Sequence, residues 1–235
     1  MKYQPAVPPD VFVNFSTNGL IFQLSEEDRN RLQLICQPVV LSEGEILCAG
    51  NDKDLPKVYF LNGACVTLWV ENPEQGRLAV GLVGSEGAIG LGAALGLHAE
   101  HMHFEVQTTG QAWCTDSRAL QNLLQSRPSM LWTVARYLWQ VARDIASMAA
   151  TIQHADIPAR LAAWLVLCAQ RSESQQLSLT HDQLAGMMGV RRVSITLAAV
   201  ALKGLGLIDY KRGVVTITDM AGLEKRAHGG APTSV

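Results

Sequence analysis

Ser178-Leu-Thr-His-Asp-Gln-Leu-Ala-Gly-Met-Met-Gly-Val-Arg-Arg-Val-Ser-Ile-Thr-Leu-Ala-Ala-Val-Ala-Leu-Lys-Gly-Leu-Gly-Leu-Ile-Asp-Tyr-Lys-Arg212 is the stretch on which the reading of this chain turns. Thr180 and Gln183 make a capping box: the hydroxyl accepts the Gln183 N–H while the Gln183 amide reaches back to the Thr180 N–H. A two-turn helix over 181–188 follows, burying Leu184 with Met187 or Met188. Gly189 supplies the positive φ needed to turn sharply out of it. A second helix is predicted from about Arg191 to Lys203, with Ile195, Ala198, Ala199 and Leu202 inward at i, i+3, i+4 and i+7. Its opposite face keeps Arg191, Arg192 and Thr196.

Two arginines at a helix N-terminus oppose the macrodipole, so some demand other than helix stability places them there. In a major groove, the first turn of a recognition helix lies nearest the base edges, where arginine forks onto guanine O6 and N7. The plainer alternative is a solvated basic turn on an ordinary helical hairpin. Downstream, Leu207–Tyr210 and Val214–Ile217 flank Lys211-Arg212-Gly213, a β-hairpin whose tip offers two cations to phosphate.

Working outward, charge divides unevenly. The net charge is −2 over 235 residues, yet residues 181–226 hold seven Lys or Arg against four Asp or Glu. A basic C-terminal module on an acidic body is implied, and phosphate contact needs only a local field. The five cysteines, at 36, 48, 65, 114 and 168, show no short repeated spacing. That argues against a disulfide framework and a zinc knuckle. The longest apolar runs, such as Leu161 to Ala169, fall short of the roughly 20 residues that cross a bilayer. No basic segment followed by an apolar one opens the chain. A cytoplasmic protein with no membrane partner is expected.

Upstream, residues 1–16 read as a flexible lead-in with prolines and no periodicity. Ser25-Glu-Glu-Asp starts a short capped helix. From Val39 to Thr115 the character is β: Val58–Leu61, Cys65–Val70, Leu78–Leu82 and Phe104–Thr108 are short runs punctuated by glycine and Asn-Gly turns, as in a small sandwich or barrel. The glycine-rich run from Gly81 to Gly96 is either an anion-cradling turn or a tight corner. His98, His101 and His103 lack a carboxylate or cysteine in fixed register, so no metal site is assigned. After Pro128, Leu131, Val134, Leu138, Val141, Ile145, Met148 and Ile152 alternate by three and four, the seam of a helix along which two copies pack. Trp132, Ala135, Trp139 and Ala142 widen the apolar face enough to admit burial against the chain's own β domain as well. Asp156 then caps a further helix with Pro158 in its first turn.

Together these elements resemble the Crp/Fnr family of bacterial transcription regulators. The resemblance rests on Leu179 through Thr196, continuing to Gly206-Leu-Ile208, with support from Gly44-Glu-Ile-Leu47 and Tyr59-Phe-Leu-Asn-Gly-Ala-Cys-Val-Thr67, and it spans about residues 17–225. It implies an α+β chain: an N-terminal β-roll (jelly-roll) sensor domain resembling cyclic-nucleotide-binding domains at 17–127, a dimerisation helix at 128–153, a winged helix-turn-helix at 154–225 and a tail at 226–235. It also implies a homodimer on a palindromic double-stranded DNA operator, contact with RNA polymerase, and an effector held in the β-roll near Gly84, Glu86, Gly87, Ala88, His101 and His103. DNA contacts fall to Thr180, Arg191, Arg192, Val193, Ser194, Thr196, Lys211 and Arg212, with Arg192 as the guanine reader and Ser194 on phosphate.

Three departures from the family pattern matter. Val193 stands where many members have a glutamate that reads a base, and Leu197 where some have an arginine; Val193 suits a thymine methyl. His101-Met-His-Phe104 occupies the region where cyclic-nucleotide binders carry an Arg-Ser pair, which argues against cyclic AMP, because the phosphate loses its charge-assisted partner. No closely spaced N-terminal cysteine set occurs, which argues against an iron–sulfur cluster, and nothing singles out haem; no cofactor is assigned. Two further readings stand beside the effector-controlled regulator. One is a ligand-independent DNA-binding protein whose β domain is structural or contacts polymerase. The other is a regulatory subunit of an enzyme, although no Walker loop, GxSxG or HExxH occurs and no catalytic activity is expected.

Overall fold

The computed structural model describes residues 14–48, 56–72, 76–97 and 102–228. They divide into two compact units, one made of residues up to Thr67 together with Val83–Gln140, the other of Leu68–Leu82 together with Val141 onward. The expected α+β architecture is present: antiparallel sheets first, one long helix, then a helical module with a hairpin.

The first unit begins with α1 (Gly19–Phe22) and α2 (Glu26–Gln33), capped by Asn18 and Ser25. Asn18 is fully buried and uses every polar atom of its side chain. Its carbonyl accepts the Leu20 and Ile21 N–H groups while its amide donates to Leu61 O and Gly87 O. A buried amide so satisfied fixes the entry of the chain at no desolvation loss. Across the chain up to Asp116 the strands are β1 (Gln37–Leu41), β2 (Ile46–Cys48), β3 (Lys57–Asn62), β4 (Cys65–Asn72), β5 (Gly76–Val83), β6 (Ala88–Ile89), β7 (Met102–Thr108) and β8 (Gly110–Asp116), with α3 (Leu91–Ala94) after β6; the stretch from Leu68 to Leu82 in β4 and β5 belongs to the second unit. They form two four-stranded sheets, ordered β1-β8-β3-β6 and β2-β7-β4-β5. The central register pairs Lys57 with Asp116 and Leu61 with Ala112. All four β runs read from the sequence are strands. β1, β2, β6 and β8 were not among them; they are short or carry proline, glycine and polar residues, so their alternation is weak.

Asp116 caps α4 (Ser117–Ser126), whose Leu120 and Leu124 enter the core beside Phe60, Leu20 and Met130. One carboxylate lies within this apolar interior. Asp28 is 1% exposed, and receives Arg127 Nε at 2.7 Å on one oxygen and Ser129 Oγ at 2.9 Å on the other. Burial alone would raise its pKa, but the bonds from Ser129, Arg127 and Ser25 outweigh this and hold it below the usual carboxylate value. The contact ties the first turn of α2 to the residue before α5.

α5 runs from Pro128 to His154, proline serving at the first position where no N–H is missed. Val134 is buried and Leu138 packs against the same core, while Met148 and Ile152 line a small apolar pocket with Trp164, Met187 and Met188. Those seam positions therefore serve the chain's own interior. Val141 and Ile145 are half-buried and Leu131 is exposed. The exposed apolar stripe lies one residue further on, at Trp132, Ala135, Trp139, Ala142, Ala146 and Ala149. Its spacing again alternates by three and four.

Asp156 caps α6 (Ile157–Ser172) and also receives Arg226, at 2.6 Å, from α9 (Met220–Ala227). Between them lie β9 (Gln176–Ser178), α7 (His181–Met188), α8 (Arg192–Gly204), β10 (Ile208–Lys211) and β11 (Val214–Ile217), with sheet order β10-β11-β9. α9 packs Leu223 inward and crosses residue 226, where the sequence reading had placed the start of a tail. Among the described residues no single helix is long and apolar enough to cross a membrane.

Candidate nucleic-acid interface

The capping box forms as read: Thr180 Oγ1 accepts the Gln183 N–H at 3.2 Å and Gln183 Oε1 accepts the Thr180 N–H at 2.9 Å. Gly189 ends α7 at φ 62°, a left-handed value that a β-carbon disfavours. After this turn the helix axis has changed direction by 109°, within the range of helix-turn-helix pairs. Ile195, Ala198, Ala199 and Leu202 are the buried face of α8, as their spacing requires.

The outer face carries the cations. Arg191 is the residue before the first helical turn and makes no capping bond, so its side chain is free of any structural duty at the cap. Arg192 opens the helix with its side chain 67% exposed, and it makes a loose 3.4 Å approach to the equally exposed Asp182. Such a pair contributes little and is readily exchanged for another anion. Val193 is exposed and Ser194 half-buried on the same turn. Thr196 is differently employed: its hydroxyl donates to Arg192 O at 3.2 Å and lies 3.1 Å from His181 Nδ1.

Which group donates in that last contact depends on the tautomer of His181. Its Nε2 is buried and without a hydrogen-bond partner among the described residues. The ring stacks on Tyr210 of β10 at 4.2 Å, so one histidine joins α7, α8 and the hairpin. Burial pushes its pKa down, Arg192 adds to the effect, and Asp182 opposes it. In the fold the neutral ring is favoured, while the unfolded chain protonates near its ordinary value of about 6.5. Stability is therefore undiminished above that pH and falls as pH drops from it toward the folded value. Melting temperatures at pH 7.5 and 5.5 are expected to differ less in His181→Gln than in the wild type; an unchanged difference would refute this role.

The hairpin closes through Arg212 at φ 49° and Gly213 at φ 81°, the two-residue turn whose twist suits antiparallel strands. Arg212 stands exposed at the tip. Lys211 is 80% exposed but paired with Asp209 at 3.2 Å, and Lys203 of α8 reaches the other oxygen at 2.7 Å. These two ammonium groups hold the Asp209 carboxyl down to about 2. Tyr210 is not legible as a site residue in the sequence because its partner His181 lies far from it in sequence, and Lys203 reaches Asp209 only when the hairpin folds back on α8.

The expected effector residues fall as follows. Gly84, Glu86, Gly87 and Ala88 share one turn, and the N–H groups of Gly84, Gly87 and Ala88 are already bonded. The Glu86 carboxylate accepts from Gly84 N, Gly84 O from Gly87 N, and Tyr137 Oη from Ala88 N at 3.1 Å. A β-carbon at Gly87 would land on the Tyr137 ring, which explains the glycine. His103 is half-buried on β7, and His98 and His101 lie outside the described residues. Among the described residues no three His, Cys, Asp or Glu side chains are grouped to hold a metal.

Two helices at 109° with exposed arginines on the second and a cationic hairpin beside it define a winged helix-turn-helix, a DNA-binding class of module. Residues 159–226 match the family model of the Crp-like helix-turn-helix domain. No curated protein sequence matches the chain. Among solved structures, a transcriptional regulator assigned to the crp/fnr family from Eubacterium rectale has a TM-score of 0.71 at 16% identity, covering 91% of this chain and 99% of its own. The c-di-GMP responsive global regulator CLP of Xanthomonas campestris gives 0.68 at 16% identity, over 82% and 99%. A CRP-family regulator from Thermus thermophilus gives 0.67 at 22% identity, over 84% and 100%. Residues 159–226 thus form a Crp-like helix-turn-helix domain, and the chain has the fold seen in the structures of these regulators.

Proposed function

We propose that this chain is a transcription regulator of the Crp/Fnr type that binds a two-fold symmetric operator as a homodimer. The carrying observation is the start of α8, where Arg191 at the cap position and Arg192 in the first turn are both exposed and the pair of Arg192 with Asp182 is loose. Dimerisation is supported by α5, where Trp132 and Trp139 are 69% and 70% exposed. With Ala135, Ala142, Ala146 and Ala149 they make a heptad stripe that suits a second copy of the same helix. Two recognition helices then enter successive major grooves about one helical turn apart.

The effector reading takes a specific form. Tyr137 lies on α5 and its hydroxyl bonds both the N–H and the carbonyl of Ala88. A ligand entering the Gly84–Ala88 turn competes with this hydroxyl, so its binding acts directly on the helix that carries the partner copy. Polymerase contact is part of the same reading.

The test is sedimentation combined with mobility shift on DNA from upstream of the protein's own gene. The wild type is expected to sediment as a dimer and give one specific complex. Trp139→Glu, which puts a charge on the stripe and disturbs no buried side chain, is expected to sediment as a monomer and bind at least tenfold more weakly, on the scale of a dimer's lost second half-site. A dimer unaffected by Trp139→Glu would refute the stripe.

A further inference from the structure

On α8, what burial leaves over is aliphatic. Val193, Leu197 and Val200 are 67%, 65% and 64% exposed, and at i, i+4 and i+7 they form one stripe. The outward side of a helix ordinarily carries polar groups, and contiguous exposed apolar surface marks a contact. The surroundings indicate with what. Arg191 and Arg192 stand at one end of the stripe, and Lys211 and Arg212 project from the neighbouring hairpin. A polyanion fits that rim. In duplex DNA the apolar group on a major-groove base edge is the C5 methyl of thymine.

We infer, resting on the DNA-binding reading above, that Val193 and Leu197 are specificity residues that read thymine methyls, beside a guanine read by Arg192. Four residues of helix advance about 6 Å, close to two base-pair steps of about 3.4 Å. The two side chains thus address base pairs about two steps apart within one half-site. Thr196 does not compete for this role, because its hydroxyl is held by Arg192 O and His181. Val200 lies a further turn away from the end of the helix that meets the base edges.

The experiment uses the full chain to select duplexes from a random-sequence library, then measures the selected duplex with each thymine replaced by deoxyuridine, which removes only the methyl. Two thymines per half-site are expected whose replacement weakens binding about fourfold each, on the scale of one buried methyl. Val193→Ala should make binding indifferent to one replacement and Leu197→Ala to the other, with melting temperatures unchanged because both side chains lie on the surface. A selected site in which no thymine methyl matters overturns the inference and leaves the DNA-binding reading standing. Methyl dependence that survives both substitutions overturns it as well. Failure to bind any duplex even at low salt overturns both readings and assigns the stripe to a protein partner.

Discussion

Asp28→Ala is expected to destabilise the N-terminal unit by about 2–3 kcal/mol, measured by urea unfolding at neutral pH. A fully buried ion pair broken at one partner costs about 3–5 kcal/mol. The figure is discounted because Arg127 keeps 26% of its side chain exposed and retains Glu27 at 3.0 Å. Arg127→Ala should destabilise more than Asp28→Ala, since it leaves a carboxylate in the core with serine hydroxyls in place of a cation as its side-chain partners. The sign with pH follows from the lowered pKa of Asp28. The ionised form is favoured by the fold, so the contribution is complete above the ordinary carboxylate value and is lost as pH falls through the folded one. Equal stability of wild type and Asp28→Ala at pH 7 would refute the role.

Arg192→Ala should cost sequence selectivity, and Lys211→Ala should not. A forked arginine on guanine is worth about five- to a hundredfold in discrimination, so the ratio of specific to non-specific affinity should fall by that factor in Arg192→Ala. On the proposed reading Lys211, on the hairpin, meets phosphate and reads no base. Its removal should weaken specific and non-specific duplexes alike and flatten the dependence on salt. Competition mobility shifts at two salt concentrations separate the cases. Equal loss of both kinds of binding in both variants would contradict these assignments.

The C-terminal module was legible almost residue by residue because local rules agree there. The capping box, the turn glycine, the inward stripe and the two-residue hairpin each involve partners within about four positions, where spacing alone decides geometry. The long helix was legible in extent but not in facing. Two apolar stripes one residue apart run along it, and which of them meets the core is decided by Phe60, Leu120 and Leu124, residues that the sequence of the helix does not contain. The glycine-rich turn was open for a similar reason. Whether its N–H groups await a ligand or are already used depends on Tyr137, which reaches it from about fifty positions away. Likewise His181 reads as an ordinary helix start until Tyr210 is folded against it.

Asp209 sits between two lysines on the face that carries the wing. A duplex phosphate that captures Lys211 displaces a carboxylate anchored to the protein in place of an ion dissolved in the buffer. Contact here would exchange one fixed anion for another at the ammonium, while the cations condensed on the duplex are still released, so Lys211 keeps its share of the salt dependence. Asp209 is in that sense a counterion the protein carries with it.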